Sequence, residues 1–285
     1  HNLRWTANYQ DLLDDPGIDA VVLATPHTLH KDQVLRAAAV GKHIFAEKPF
    51  ALTLPDAHEM LDATGKAGIV LAVGFNRRFH PSMRRLKADI QSGALGTIVT
   101  VLAEQTALHG LHMTEASWRA QPEEAPGGAM TAIGVHLVDG MIDLLGRADN
   151  VRAIVSRRAV EIADDTTNVQ LRFRSGAVGQ IFCSTAATPH YRFAVYGTGG
   201  MAEILGHPMA TYRLVRSTED AFRTAPPETV ETPNFNMLTA ELEEFAAAIV
   251  GKRAFSTPLT DILHGVEIFD AVIRSAESGA PVDLG

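Results

Sequence analysis

The chain of 285 residues is long enough for one large domain or two domains of medium size. Its 46% hydrophobic and 20% charged residues are typical of a globular protein and exclude collagen, a disulfide scaffold and extensive disorder. A formal net charge of -8 disfavours nucleic acid as a partner, because an acidic surface repels phosphate. The single cysteine, Cys183, cannot form a disulfide within the chain, which predicts a cytoplasmic protein, and no apolar run reaches the roughly 18 residues of a membrane span.

Short apolar runs alternate with helical patterns in the first part of the chain. We predict helices at 9–15, 30–40 and 54–66 and strands at 18–24, 43–46 and 69–75. The strands are apolar throughout, as in strands buried on both faces, and crossover helices of this length join parallel strands. Residues 1–77 are therefore predicted to form the second half of a doubly wound, dinucleotide-binding Rossmann domain.

The pattern changes after Phe79, where longer strands with glycine turns begin. We predict helices at 82–92, 130–145, 236–250 and 260–278, a loop at 217–233, and strands at 97–107, 151–160, 167–174, 177–184, 191–196, 201–205 and 211–216. This pattern predicts an α+β domain over 78–285 with a large, mostly antiparallel sheet. Because an open apolar sheet face is rarely left in water, we expect a homodimer or homotetramer built through this sheet.

Glu47-Lys48-Pro49 stands at the carboxyl end of a predicted buried strand, where ligands bind in open α/β sheets. Pro49 favours an extended Lys48 that points out of the strand end. A lysine that is desolvated there can lose its proton near neutral pH and act as an acid or base. On this motif alone, a surface lysine at a strand end is the simpler interpretation.

The second candidate is the helix that follows Gly127-Gly128, in which His136 and Asp139 are three residues apart and can share a face. A neutral imidazole can bond a substrate hydroxyl or relay its proton. Taken alone, the helix also fits a packed histidine whose polar atoms Asp139 satisfies. No set of four residues has the spacing of a metal site, so no metal is predicted.

Three motifs occur in order: Ala24-Thr25-Pro26-His27-Thr28-Leu29-His30, then Glu47-Lys48-Pro49, then the glycine-rich helix ending in Gly134-Val135-His136. Together they resemble the glucose–fructose oxidoreductase, inositol dehydrogenase and rhizopine-catabolism (Gfo/Idh/MocA) family. The resemblance extends to the hairpin at 193–200 and the final helix. It implies a Rossmann domain that holds NAD or NADP and a second domain that supplies the substrate wall.

The same resemblance implies roles for particular residues. Lys48 would act in proton transfer and His136 would orient the substrate hydroxyl. The cofactor would be bordered by Thr25, Pro26, His27, His30, Glu47, Lys48, Asn76, Arg77, Trp118 and Arg119. The implied activity is NAD(P)-dependent hydride transfer to or from a secondary alcohol or carbonyl of a sugar-like or cyclic hydroxylated small molecule.

Two departures from the family pattern leave alternatives open. Ala132 stands where many members have an aspartate four residues before the histidine. The glycine fingerprint of a Rossmann domain is also missing: Gly197-Thr198-Gly199-Gly200 fits its spacing, but Gly206 and Pro208 would stop the helix that must follow, so we predict a hairpin turn there. A non-catalytic, dinucleotide- or sugar-responsive regulator is therefore the main alternative, and a glycoside-cleaving enzyme with transient hydride transfer is the third. We expect about 60 further residues upstream, containing the fingerprint.

Overall fold

The computed structural model describes residues 4–207, 209–232 and 234–285. Its first sheet has three parallel strands in the order β1-β2-β3: β1 (Ala20–Leu23), β2 (His43–Ala46) and β3 (Leu71–Val73). Helix α1 (Tyr9–Asp14) precedes it, and α2 (His30–Ala39) and α3 (Leu54–Ala67) are the crossovers. The predicted half of a doubly wound parallel sheet is confirmed.

Local sequence explains where helix α3 starts and stops. The Thr53 hydroxyl accepts the backbone N–H of Asp56, and Pro55 occupies the first turn, where its missing N–H costs nothing. Gly68 ends the helix in the left-handed conformation, with φ of 65°, which favours glycine. The crossover therefore delivers the chain to β3 at a fixed point.

The second sheet has nine strands in the order β11-β10-β9-β8-β4-β7-β6-β5-β12. All neighbours are antiparallel except β4 and β7, which run parallel. This confirms the predicted α+β architecture. The strands are β4 (Ile98–Thr106), β5 (Ala148–Ser156), β6 (Thr166–Phe173), β7 (Val178–Ser184), β8 (His190–Gly197), β9 (Gly200–Leu205), β10 (Thr211–Arg216), β11 (Glu228–Glu231) and β12 (Val282–Asp283).

The remaining helices are α4 (Pro81–Gln91), α5 (Val135–Leu145), α6 (Met237–Ile249) and α7 (Leu259–Ser278), and a π-helical segment, Met130–Gly134, leads into α5. Helices α4, α5 and α7 cover one face of the large sheet, whereas α6 packs on the small sheet, where Phe245 contacts Phe45. On α7, Ile262 and Val266 pack in the core of the small sheet, whereas Phe269 and Val272 pack in the core of the large one. One helix therefore joins the two cores. No helix in the described ranges is both long and apolar enough to cross a membrane.

Three details differ from the sequence prediction. Strand β5 ends at Ser156 rather than at 160, because the Asp165 carboxylate accepts the backbone N–H groups of residues 158, 159 and 160 at 2.9, 2.6 and 2.9 Å and folds them into a loop. The predicted loop at 217–233 contains β11, and β12 was not predicted at all. The glycine-rich turn between β8 and β9 is the predicted hairpin.

Candidate active site

A cavity of about 500 Å³ lies between the two sheets, at the carboxyl ends of β1 and β2. The small parallel sheet and its loops contribute Ala24, Thr25, His27, Glu47 and Lys48. The opposite wall comes from the second domain and consists of His109, Met113, Trp118, Arg119, Ala125, Gly128, Thr131, Ala132, Ala163, Asp164 and Thr185. Residues of all three motifs therefore line the cavity. The third motif contributes Gly128, Thr131 and Ala132, but not His136.

Lys48 is half-buried in this cavity, two residues beyond the end of β2. Its Nζ donates a hydrogen bond to the carbonyl oxygen of Ala132 at 2.9 Å. That carbonyl belongs to the π-helical segment, a type of turn that often occurs at functional sites. The interpretation of Lys48 as a purely solvated strand end does not fit this contact across the two domains.

Burial lowers the pKa of Lys48 to about 8. The negative charge of Glu47 opposes this shift, whereas the positive charges of Arg77 and Arg119 add to it. The amine can therefore exchange a proton near neutral pH, which an ordinary lysine does not do. This is the property that acid–base chemistry on a hydroxyl group requires.

The loop after β1 is tied to the second domain by Glu124. The Thr28 backbone N–H donates to Glu124 Oε2 at 3.1 Å, its hydroxyl donates to Oε1, and His27 Nδ1 donates to the Glu124 backbone carbonyl at 2.5 Å. The Trp118 ring meets the His27 ring edge-on, with centroids 5.0 Å apart. Burial lowers the pKa of His27 to about 4, so its ring is neutral at physiological pH.

The remaining residues of the predicted cofactor loop lie around this contact. Pro26 precedes a short 3₁₀ turn at 27–29, and the Thr25 hydroxyl donates to the Gln33 side chain at 2.6 Å. His30 is fully buried, and its Nδ1 donates to the Pro49 carbonyl at 3.1 Å, which supports the segment that bears Lys48. The guanidinium of exposed Arg119 stacks on Trp118 at 4.1 Å from the ring centre.

Five predicted site residues do not line the cavity: Pro26, His30, Asn76, Arg77 and His136. Asn76 begins the 3₁₀ helix at 76–79 that links the two sheets. The Arg77 guanidinium donates to the Gln105 side chain and lies 5.2 Å from the centre of the Tyr191 ring, so it contacts the second sheet. The cofactor roles assigned to these two residues stay predictions.

His136 lies on the first turn of α5, half-buried, with its ring edge-on to Phe75 at 6.3 Å between centroids. Its Nδ1 is buried without a hydrogen-bond partner among the described residues. Burial, with the nearby positive charges of Arg77 and Lys48, holds the pKa of His136 well below its ordinary value. The imidazole is therefore neutral and lies near Lys48 without contacting Asp139.

Asp139 belongs instead to a buried ion cluster centred on Arg78. The Arg78 Nε lies 3.0 Å from both Asp139 carboxylate oxygens, and its Nη1 lies 3.0 Å from Asp143 and from Asp261. The Lys87 ammonium donates to Asp143 at 2.6 Å. Arg78 is thus 8% exposed and joins the interdomain segment to α5 and α7. The predicted pairing of Asp139 with His136 is wrong.

Sequence reasoning missed several wall residues, of which Asp164 and Thr185 are polar. The predicted strand at 151–160 includes the first four residues of the loop at 157–164, and nothing in the spacing marks Asp164 as lining a cavity. His109, on the 3₁₀ helix at 109–112, is a further wall residue to which no site role was assigned. Only the folding of distant segments onto one wall brings these residues together.

The part of the cavity next to the small sheet fits the nicotinamide end of a dinucleotide. It lies outside the carboxyl ends of β1 and β2, where α/β sheets bind such ligands, and the small side chains of Ala24 and Thr25 leave room for a flat ring. The carboxylate of Glu47 lies beside Gly74 at the end of β3. No described strand runs through a glycine-rich turn into a helix that could hold a pyrophosphate.

Comparisons with known proteins agree with this architecture. Residues 2–75 match the oxidoreductase family with an NAD-binding Rossmann fold, and residues 83–203 match the GFO/IDH/MocA C-terminal domain. The uncharacterized oxidoreductase YrbE of Bacillus subtilis is 30% identical over 298 residues, covering 100% of this chain and 84% of YrbE. The 1,5-anhydro-D-fructose reductase of Ensifer adhaerens is 29% identical over 280 residues, covering 96% of this chain and 82% of that protein.

A solved structure of levoglucosan dehydrogenase in complex with NADH and levoglucosan superposes with a TM-score of 0.88 at 28% identity, covering 98% of this chain and 83% of that one. The family matches leave residues 76–82 between them, around the predicted domain boundary at 77, which stays a prediction. The order of the motifs, the architecture of the two sheets and the similarity along the whole of this chain all indicate the same family. The chain belongs to the Gfo/Idh/MocA family of NAD(P)-dependent oxidoreductases.

Proposed function

We propose that this chain oxidises a secondary alcohol, or reduces the corresponding carbonyl, in a sugar-like or cyclic hydroxylated compound. The observation that carries the proposal is Lys48: a lysine in a cavity between the two domains, with a pKa of about 8, at the strand end where a nicotinamide would lie. The names of the relatives, a 1,5-anhydro-D-fructose reductase and a levoglucosan dehydrogenase, support this substrate class.

NAD or NADP, when bound, supplies the hydride acceptor or donor. Glu47, Lys48, Thr25 and His27 would border the nicotinamide end from the Rossmann side, and Trp118 with Arg119 would border it from the second domain. The Glu124 contacts with residues 27 and 28 hold the two sides of this pocket together. The chain's own residues thereby orient the ring toward the wall of the second domain.

Lys48 moves the proton. In alcohol oxidation its neutral amine accepts the proton of the substrate hydroxyl, and in carbonyl reduction its ammonium returns that proton to oxygen. The hydrogen bond to the Ala132 carbonyl keeps Nζ at the cavity wall in either direction. His136, neutral and close to Lys48, is our candidate for orienting the hydroxyl.

The test is a titration with NADH and NADPH, followed by turnover assays with a panel of polyols that includes levoglucosan and 1,5-anhydro-D-fructose. The proposal expects both dinucleotide binding and turnover of at least one hydroxylated ring. Binding without any turnover would instead favour the regulator, for which the replacement of the family's aspartate by Ala132 is the specific observation.

We also propose a homodimer or homotetramer built through the open face of the large sheet. Helices cover the other face, and Ile154 and Phe182 remain 65% and 37% exposed on the open one, where they lie in one cross-strand row with Asn168 between them. The face is mixed rather than apolar, because Arg152, Gln170 and Gln180 share it with them. Both side chains border a shallow depression of about 400 Å³ into which a facing copy could pack.

Placing a charge on this face should break the assembly. Ile154→Glu combined with Phe182→Glu should yield monomers in sedimentation at micromolar concentration, because two carboxylates would have to be desolvated. Val250→Glu, at a 66% exposed position after α6, should sediment like the unchanged protein. A wild-type protein that is itself monomeric at that concentration would refute the proposed interface.

A further inference from the structure

Asp164 is the one acidic residue among the described residues that line the second domain's wall of the cavity. The other acidic lining residue, Glu47, belongs to the Rossmann side. Glu47 accepts the backbone N–H of Lys48 at 3.3 Å and packs against Gly74 of the small sheet. On the helix that bears His136, Ala132 offers no side-chain acceptor, and Asp139 is bound to Arg78. Asp164 is therefore the acidic group that a substrate on this wall would meet.

The backbone around Asp164 is held from both sides. Its carbonyl oxygen lies so close to Gly128 that a Cβ there would come within 1.9 Å of it, so the approach of this loop to the start of the π-helical segment requires a glycine. On the other side, Asp165 fixes the loop through the three amide contacts that end β5. These contacts fix the position of Asp164 relative to Lys48, on the Rossmann side of the cavity, before a ligand binds.

The side chain of Asp164 itself remains available. Its nearest charged partner is Arg157, whose Nε lies 3.5 Å from Oδ1, and the two side chains are 39% and 50% exposed. A pair this long and this exposed contributes little free energy, so a ligand hydroxyl can compete for the carboxylate. A carboxylate offers two oxygens and can accept hydrogen bonds from two neighbouring hydroxyls at once.

We propose that Asp164 is the specificity-determining residue that binds hydroxyls next to the reacting carbon, and that it selects neutral polyols over sugar acids. This inference rests on the proposed function. The charge of Asp164 attracts the donor face of a diol and repels a substrate carboxylate. Lys48 holds the reacting oxygen on one side of the ring, and Asp164 holds its neighbours on the other.

The test compares Asp164→Asn with Glu161→Gln, which removes the charge of an exposed carboxylate three residues earlier in the same loop. Affinity is measured by calorimetry with the dinucleotide that cannot react, which is NADH for levoglucosan and NAD⁺ for 1,5-anhydro-D-fructose, and KM is measured wherever the wild type turns the sugar over. Because hydrogen bonds to charged groups are the strong ones, we expect about tenfold weaker binding in Asp164→Asn, with NADH affinity unchanged. Glu161→Gln should match the wild type.

Each outcome separates this inference from the proposed function. If the Asp164→Asn variant has the kcat and the KM of the wild type, the proposed role of Asp164 is overturned and the dehydrogenase proposal stands. Sugar binding that Asp164→Asn weakens, without turnover, supports Asp164 and refutes the dehydrogenase. Failure of the wild type to bind either sugar overturns the assigned ligand class. If Asp164→Asn proves unstable, Asp164→Ser provides the same loss of charge with a smaller side chain.

Discussion

Replacing Lys48 with methionine should lower kcat for polyol oxidation by about 10²–10⁴-fold, the usual contribution of a positioned general acid or base. Methionine keeps an unbranched side chain in the cavity but has no proton to exchange and cannot donate to the Ala132 carbonyl. The affinity for dinucleotide should change far less, because the other pocket residues are intact. Steady-state kinetics and an NADH titration measure the two effects separately.

The control for this experiment is Lys66→Met, which removes an exposed lysine in the last turn of α3. It should leave both kcat and melting temperature near the wild-type values. If Lys48→Met instead kept kcat within a few-fold and lost only thermal stability, Lys48 would be a structural strand end, and its assignment as the proton-transfer group would be wrong.

Replacing Arg78 with methionine should reduce the free energy of unfolding by about 3–5 kcal/mol, as expected when one partner of a buried ion cluster is removed. The loss arises because Asp139, Asp143 and Asp261 would face one another with only Lys87 left to balance them. Urea unfolding monitored by circular dichroism measures it. Asp261 lies on α7, the helix that joins the two cores, so the variant should also unfold at a lower temperature.

Two comparisons show whether the ion cluster causes that loss. Arg274→Met removes an exposed arginine paired with Asp270 and should cost less than about 1 kcal/mol. Adding Asp139→Leu to Arg78→Met should recover part of the stability, since the most buried unpaired carboxylate is then gone. An Arg78→Met protein as stable as the Arg274→Met protein would show that the cluster contributes nothing to folding.

The local patterns of this chain predicted its architecture because each one reports a packing environment. The apolar run at 43–46 is the buried strand β2, whereas the run at 18–24 contains β1, which is buried on one face only because Val22 is 60% exposed. The helical spacing of Met130, Ile133, Leu137 and Met141 matches four side chains that are buried. A strand end followed by a lysine and a proline also placed Lys48 at the correct edge of the sheet. Such features depend on neighbours close in sequence.

The features that were missed depend on residues far apart in the chain. Arg78 meets carboxylates that lie 61, 65 and 183 residues away, so its surroundings could not be read from its flanking residues. The end of β5 is set by Asp165, through side chain to backbone bonds that strand propensity does not describe. The π-helical turn before α5 alters which residues of that helix face the cavity, and it brings Ala132 rather than His136 to the wall.

The pH dependence of kcat tests the central claim most directly, because it reports the proton that Lys48 exchanges. Alcohol oxidation requires the neutral amine, so log kcat should rise with pH and level off above an apparent pKa near the value of about 8 that burial gives Lys48. Carbonyl reduction requires the ammonium, so its rate should fall through the same pH. An ordinary lysine, with a pKa of about 10.4, would begin to titrate only at the upper end of the range from about pH 6 to 10. A profile that is flat over this range in both directions would contradict the assignment of Lys48 as the proton-transfer group.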